Sequence, residues 1–206
     1  MTQALVVALA YLLGSIPFAF LAGRARGVDL RTVGSGNLGA ANVFRTLGRE
    51  MGIAVMAADI LKGVVAVVIA RLLTDDPWPA VAAAAAMAGH VFPVWLRFKG
   101  GKGVAVAGGA VIALMPLAAV ICFAIWVVVV ATTRYTSLAA IVACLASTPL
   151  AWALGYPPST LVFAAVGTAA VVFLHRGNIR RLLRGEERRI ELGRTRRPPA
   201  GISGAP

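Results

Sequence analysis

The sequence predicts an all-α integral membrane protein of seven transmembrane helices. Its N-terminus is expected outside and its C-terminus in the cytoplasm, with interfacial glycine-rich loops on the cytoplasmic side. Three observations lead there. Of 206 residues, 59% are hydrophobic and only 14% charged, against about a quarter charged in ordinary soluble domains. The apolar residues fall in long runs, without the alternation of a half-buried helix or strand. The basic residues, which give a net charge of +12, sit almost entirely in alternate connections between those runs.

Ala4–Ala22 is the first apolar run. It lacks a basic leading segment and a cleavage-type turn before Arg24, so it reads as a retained span and not a secretory signal. Ile53–Leu73 is the second run, and Ala80–Leu96, entered after the polar turn at Asp75, Asp76 and Pro77, is the third. Val104–Thr133 is too long for one crossing: as a helix it would measure about 45 Å against a hydrocarbon core of about 30 Å. The Met115-Pro116 step divides it. Leu138–Leu154 and Ser159–Leu174 complete the set, separated by Gly155-Tyr156-Pro157-Pro158.

Charge supports the division. With it, Arg24–Glu50, Arg97–Lys102, Arg134 and the segment after His175 share one face, holding five, three, one and nine Lys/Arg residues, eighteen of the chain's 20. Inner loops collect Lys and Arg, so that face is cytoplasmic. An undivided run would send the basic C-terminal segment outward. The fourth span, Val104–Met115, is short, which sinks the Gly100-Gly101-Lys102-Gly103 loop into the interface. Irregular backbone at that depth is tolerated only against protein or a wet cavity.

The same charge map excludes a nucleic-acid partner, because the basic residues follow the inner loops and form no soluble basic domain. Residues 1–192 read as a single membrane domain and 193–206, rich in Pro, Gly and Arg, as a disordered basic tail. Cys122 and Cys144 lie inside apolar runs without metal-ligand spacing, so no metal site is expected.

Four polar segments converge on the inner face. In Gly34-Ser35-Gly36-Asn37-Leu38-Gly39-Ala40-Ala41-Asn42-Val43-Phe44-Arg45, closely spaced glycines let backbone N–H groups turn toward one point. Ser35, Asn37 and Asn42 add neutral donors, and Arg45 a planar cation suited to phosphate. By itself the segment serves equally well as a flexible interhelical loop. The Gly100-Gly101-Lys102-Gly103 turn at a helix N-terminus offers amides, the positive end of the helix dipole and an ammonium. It lacks the GxxxxGK[ST] spacing of a nucleotide-binding loop. His90 reads as a structural histidine.

Arg134-Tyr135-Thr136-Ser137-Leu138 supplies hydroxyls, with Ser137 a candidate helix cap. In His175-Arg176-Gly177-Asn178, a helix puts His175 and Asn178 on one face; from Arg180 onward the arginines read as headgroup anchors. Within the second span, Asp59 and Lys62 stand three apart and are expected to pair.

These segments resemble the bacterial acyl-phosphate:glycerol-3-phosphate acyltransferase family, an integral-membrane enzyme family at the first step of phospholipid synthesis. The resemblance runs from Gly14-Ser15-Ile16-Pro17 through Glu187. It rests on GSGNLGAANVFR, GHVFPVWLRFKGGKGVA and HRGNIRRLLRGEE in that order, with RYTSL and Asp59-x-x-Lys62-Gly63 beside them. It implies transfer of a fatty acyl group from acyl phosphate to the 1-hydroxyl of glycerol 3-phosphate, giving lysophosphatidic acid and phosphate without a cofactor, in the bacterial cytoplasmic membrane.

The resemblance also implies roles. Arg45 and Lys102 would clamp phosphate, with Asn37 and the backbone of Gly100, Gly101 and Gly103 as further binding groups. His175, Asn178, Ser35 and Ser137 would lie nearest the chemistry, and Glu187, Asp59 and Lys62 would support the site. The base is His175 or a substrate phosphate. The rival reading is a small anion transporter using the same basic loops, although such proteins place polar groups near the midplane and often carry inverted repeats.

Overall fold

The structure, a computed structural model, describes residues 1–190, which are helical wherever they are regular. The expected tail at 193–206 lies outside the described residues. The first apolar run forms two helices, α1 (Thr2–Ser15) and α2 (Phe18–Ala25), where the sequence predicted one. Pro17 is the reason: it has no N–H to donate and its ring disfavours a continuous helix. The loop that follows folds into a short helix, α3 (Ala40–Leu47), whose C-cap Gly48, at φ 95°, turns the chain directly into α4 (Arg49–Leu73).

Next come α5 (Trp78–Val91), a single 3-10 turn at Val94–Leu96, α6 (Val104–Leu114), α7 (Pro116–Thr133), α8 (Thr136–Ala153), α9 (Pro158–Leu174) and α10 (Arg176–Leu183). Prolines begin several of these helices, where the missing N–H is no loss and φ is preset. The divided long run is one such case: α6 stops at Leu114, Met115 leaves the helical region (φ −143°, ψ 71°), and Pro116 starts α7.

Among the described residues, five segments are long and apolar enough to cross a bilayer: Thr2–Ala25, Arg49–Leu73, Trp78–Leu96, Pro116–Thr133 and Thr136–Ala153. Pro158–Leu174 and Arg176–Leu183, set at 58° to each other, make a sixth when the bent pair is counted as one span. At 11 residues α6 is roughly 16 Å long, about half a hydrocarbon core.

α1 packs along α5 and α4 along α6, while α7, α8 and α9 pack in succession. Lipid gives no hydrophobic drive between helices, so small residues that let backbones approach carry such contacts. A Cβ on Gly14 would meet the Ala86 backbone, and one on Gly109 would meet that of Ile60. Val67, Ala83, Leu114, Met115 and Phe163 form the largest buried apolar cluster. Beyond α6's last turn, Arg71 donates from Nη2 to the Leu114 carbonyl at 3.2 Å, satisfying one of the helix's orphan acceptors.

Candidate active site

The glycine-rich loop before α3 is organised by one side chain. Asn42, 1% exposed, donates from Nδ2 to the carbonyls of Leu30 and Val33 at 3.1 and 3.2 Å and accepts the Ser35 N–H at 2.8 Å. Gly34 makes this possible: it sits at φ 64°, and a Cβ there would collide with the Asn42 amide oxygen. With Leu30, Leu38 and Val43 buried beneath it, the loop presents Ser35, Asn37 and, one helical turn on, Arg45 to a single groove. Arg45 Nε is buried and has no hydrogen-bond partner among the described residues.

The second loop turns back on the end of α5. Arg97 and Phe98 take positive φ values of 51° and 62°, and the Gly100 and Gly101 amides then donate to the Val91 and His90 carbonyls at 3.0 and 3.1 Å. This departs from the expectation that both amides cradle phosphate. A reversal this tight must satisfy the last carbonyls of α5, and the two glycines pack against Pro93 and the His90 ring, where no Cβ fits. Gly103, at φ 77°, is the α6 N-cap and does line the groove, as does Lys102.

Beneath that loop lies a cluster whose charges are sealed against one another, although Asp59 and His90 also border the groove. Lys62 Nζ stands 2.8 Å from Asp59 Oδ1 and 3.0 Å from His90 Nδ1, and it donates to the Ile16 carbonyl at 2.9 Å. The Ile16 acceptor lies in the α1–α2 break, so the proline step and the buried cation serve each other. Asp59, Lys62 and His90 are all buried.

The third and fourth segments meet at Glu187. The chain turns at Gly185 (φ 71°) after α10, and Ile190 N–H donates to the Arg134 carbonyl at 2.9 Å. That return brings the Glu187 carboxylate under α8. Its Oε1 accepts from Ser137 Oγ at 2.8 Å and Asn178 Nδ2 at 2.6 Å, and its Oε2 accepts from Arg181 Nε at 2.7 Å. Burial pushes the Glu187 carboxyl up, but these donors outweigh it and hold the pKa below the ordinary value. Asn178 passes the network on, accepting from the Lys102 ammonium. Ser137 thus faces the carboxylate and braces it. Arg181, read from sequence as a headgroup anchor, is half-buried and ion-paired.

Lys102 is pushed down to about 8, chiefly by burial, with Glu187 opposing and the cations of Arg181 and Arg45 adding to the shift. It therefore stays charged at neutral pH. His175 is 4% exposed. Its Nδ1–H donates to the Val171 carbonyl at 2.8 Å, which leaves the Nε2 lone pair free for another partner.

All of these groups line one groove of about 970 Å³. Among the described residues its lining carries Arg45, Lys102, Arg176, Arg180, Arg181 and Arg188 against the carboxylates of Glu187 and Asp59, and Asp59 is already paired with Lys62, so the groove favours anions. Its other arm runs between α6, α7, α8 and α9 past Val111, Ala119, Ala140 and Ala164, and reaches the bundle's surface at Ile112 and Phe123.

Fold and site together define an all-helical integral membrane protein with one groove, cationic at its mouth and apolar along its other arm. The chain belongs to the glycerol-3-phosphate acyltransferase family, whose model matches residues 4–185. A glycerol-3-phosphate acyltransferase of Rubrobacter xylanophilus is 50% identical over 192 residues, covering 92% of this chain and 96% of that one. Two solved structures of PlsY (YgiH), an integral membrane glycerol 3-phosphate acyltransferase, are similar throughout. The glycerol 3-phosphate form has a TM-score of 0.90 at 41% identity, and the lysophosphatidic acid form 0.87 at 40%; each likeness covers 93% of this chain and 96% of the other.

Sequence reasoning missed Arg181 and the bracing role of Asn42, whereas His90 is the structural histidine it was expected to be. A signal existed for the first: Gly185 between Arg181 and Glu187 permits the turn that lets them meet.

Proposed function

We propose that this chain transfers a fatty acyl group from acyl phosphate to the 1-hydroxyl of glycerol 3-phosphate, releasing lysophosphatidic acid and inorganic phosphate. One observation carries the reading: a cationic mouth and an apolar arm belong to the same groove, as a reaction between two phosphates, one bearing a long chain, requires. Family membership supports the acceptor, and the apolar arm supports a chain-bearing donor.

In the proposed reaction Arg45 and Lys102 hold phosphate groups, with Ser35 and Asn37 as neutral contacts. Asn178, steered by Glu187, fixes the Lys102 ammonium. The acceptor oxygen attacks the acyl carbonyl, and the acyl–phosphate bond breaks. Because phosphate is a stable anionic leaving group, no covalent enzyme intermediate is needed; positioning and electrostatic stabilisation of the oxyanion are the enzyme's tasks. His175 Nε2 accepts a hydrogen bond from the acceptor hydroxyl and orients it. A phosphate monoester has a second pKa of about 6, so a substrate phosphate oxygen is able to take the proton that the acceptor hydroxyl releases.

The membrane placement is part of the proposal. Seven crossings, with α6 as the short fourth, put eighteen of 20 Lys/Arg residues and the groove mouth on the cytoplasmic side of a bacterial inner membrane. The test is phosphate release by purified protein in lipid bilayers supplied with palmitoyl phosphate. Release is expected only when glycerol 3-phosphate is added. Release independent of the acceptor, or none at all, overturns the assignment.

A further inference from the structure

Glycine inside a helix weakens it relative to alanine, so each such position needs a reason. Most of the glycines in α1 to α9 have one in packing: a Cβ on Gly14, Gly52, Gly63, Gly89 or Gly109 would run into the backbone of a neighbouring segment. Gly108 and Gly167 have no such reason. A Cβ on Gly108 meets nothing within 4 Å, and one on Gly167 meets only the Met87 sulfur at 3.8 Å, an ordinary contact. Neither has a left-handed backbone. Both line the groove.

Met87 links them: its sulfur lies 3.8 Å from a Cβ on Gly167, and it clusters with Ala107, the residue before Gly108. Gly108 lies on α6 just past its first turn from Val104, about 6 Å along the axis, and Gly167 lies on α9 about 12 Å before His175. The two helices run in opposite directions, α6 away from the reacting end and α9 toward it. Both glycines therefore sit at the start of the apolar arm, where an acyl chain leaving the mouth must pass, beside Ala107, Val111 and Ala164. From this we infer that Gly108 and Gly167 determine donor chain length: by leaving out a side chain at this level, they keep the groove wide enough for a long acyl chain.

The inference rests on the acyl-phosphate reading, and its test separates the two. Gly108→Leu and Gly167→Leu proteins in phospholipid nanodiscs are assayed with palmitoyl phosphate and with butyryl phosphate, whose chain ends short of this level. Thermal unfolding is followed in parallel. For palmitoyl phosphate kcat/KM is expected to fall by about tenfold or more, the scale on which a filled apolar pocket discriminates, while the butyryl value holds. Gly108→Ala and Gly167→Ala guard against a leucine that prevents folding: their unfolding midpoints are expected to rise, with a smaller shift of preference in the same direction. Equal losses for both donors, or no loss for palmitoyl phosphate in any variant, overturn the inference. A wild-type protein that releases phosphate from neither donor with glycerol 3-phosphate present overturns the acyltransfer reading instead.

Discussion

Two clusters of charge border the same groove and are built on opposite plans. In the sealed cluster, Lys62 has a carboxylate, an imidazole nitrogen and a backbone carbonyl within about hydrogen-bond distance, and its surroundings are helices. In the open cluster, Glu187 is fully engaged, yet its cationic neighbours Arg45 and Lys102 face a groove and form no ion pair among the described residues. A closed set of partners locks backbone in place; here it holds the α1–α2 break and, through His90, the loop that carries Lys102. An unbalanced set holds a ligand. The difference between holding a fold and holding a substrate is whether the positive charge has been matched within the protein.

The largest effect should come from breaking the sealed cluster. Lys62→Ala leaves Asp59 buried without its cation, and one partner removed from a buried pair typically costs about 3–5 kcal/mol. Chemical unfolding of the variant in mild detergent should show that loss, whereas Arg45→Ala should keep near-wild-type stability and lose turnover by a factor of about 100 or more, the scale of a lost electrostatic stabiliser. Equal stability losses in the two variants would erase the contrast.

A smaller effect should follow pH. The Lys102 ammonium, at about 8 in the free protein, loses its proton as pH rises through that value, so kcat/KM for glycerol 3-phosphate should decline on the alkaline side. The sign for stability is opposite. The folded pKa lies below the unfolded one, so the fold gains as pH rises from about 8 toward the ordinary lysine value. Lys102→Arg, permanently charged, should lower the rate yet shift the alkaline limb upward. A limb that stays near pH 8 in that variant assigns it to another group.

The smallest change is Ser137→Ala. It removes one of three donors to Glu187 and should cost roughly 1.5 kcal/mol, as for a hydrogen bond to a charged group, with turnover near normal. A hundredfold loss of rate would put the hydroxyl in the chemistry.

The sequence made much of this legible because some signals are local. Apolar run length announces the helices, Met115-Pro116 announces the divided run, and motifs of fixed spacing announce Arg45, Lys102 and His175, which the structure gathers into one groove. What stayed hidden depends on distant partners. The Gly100 and Gly101 amides are turned inward by the way the loop folds onto α5. Lys102 and Asn178 meet across 76 positions of chain, and Ser137 and Glu187 across 50. Pro17 was visible, but that its break would expose a carbonyl to Lys62 was not.

The strap from Gly185 to Ile190, pinned to Arg134, has a consequence for biogenesis. Ribosomes make chains from the N-terminus, so Lys102 is inserted long before the carboxylate that steers it through Asn178. A chain made only as far as α9 carries the cation without the brace that aims it, and the brace arrives once synthesis has passed Ile190.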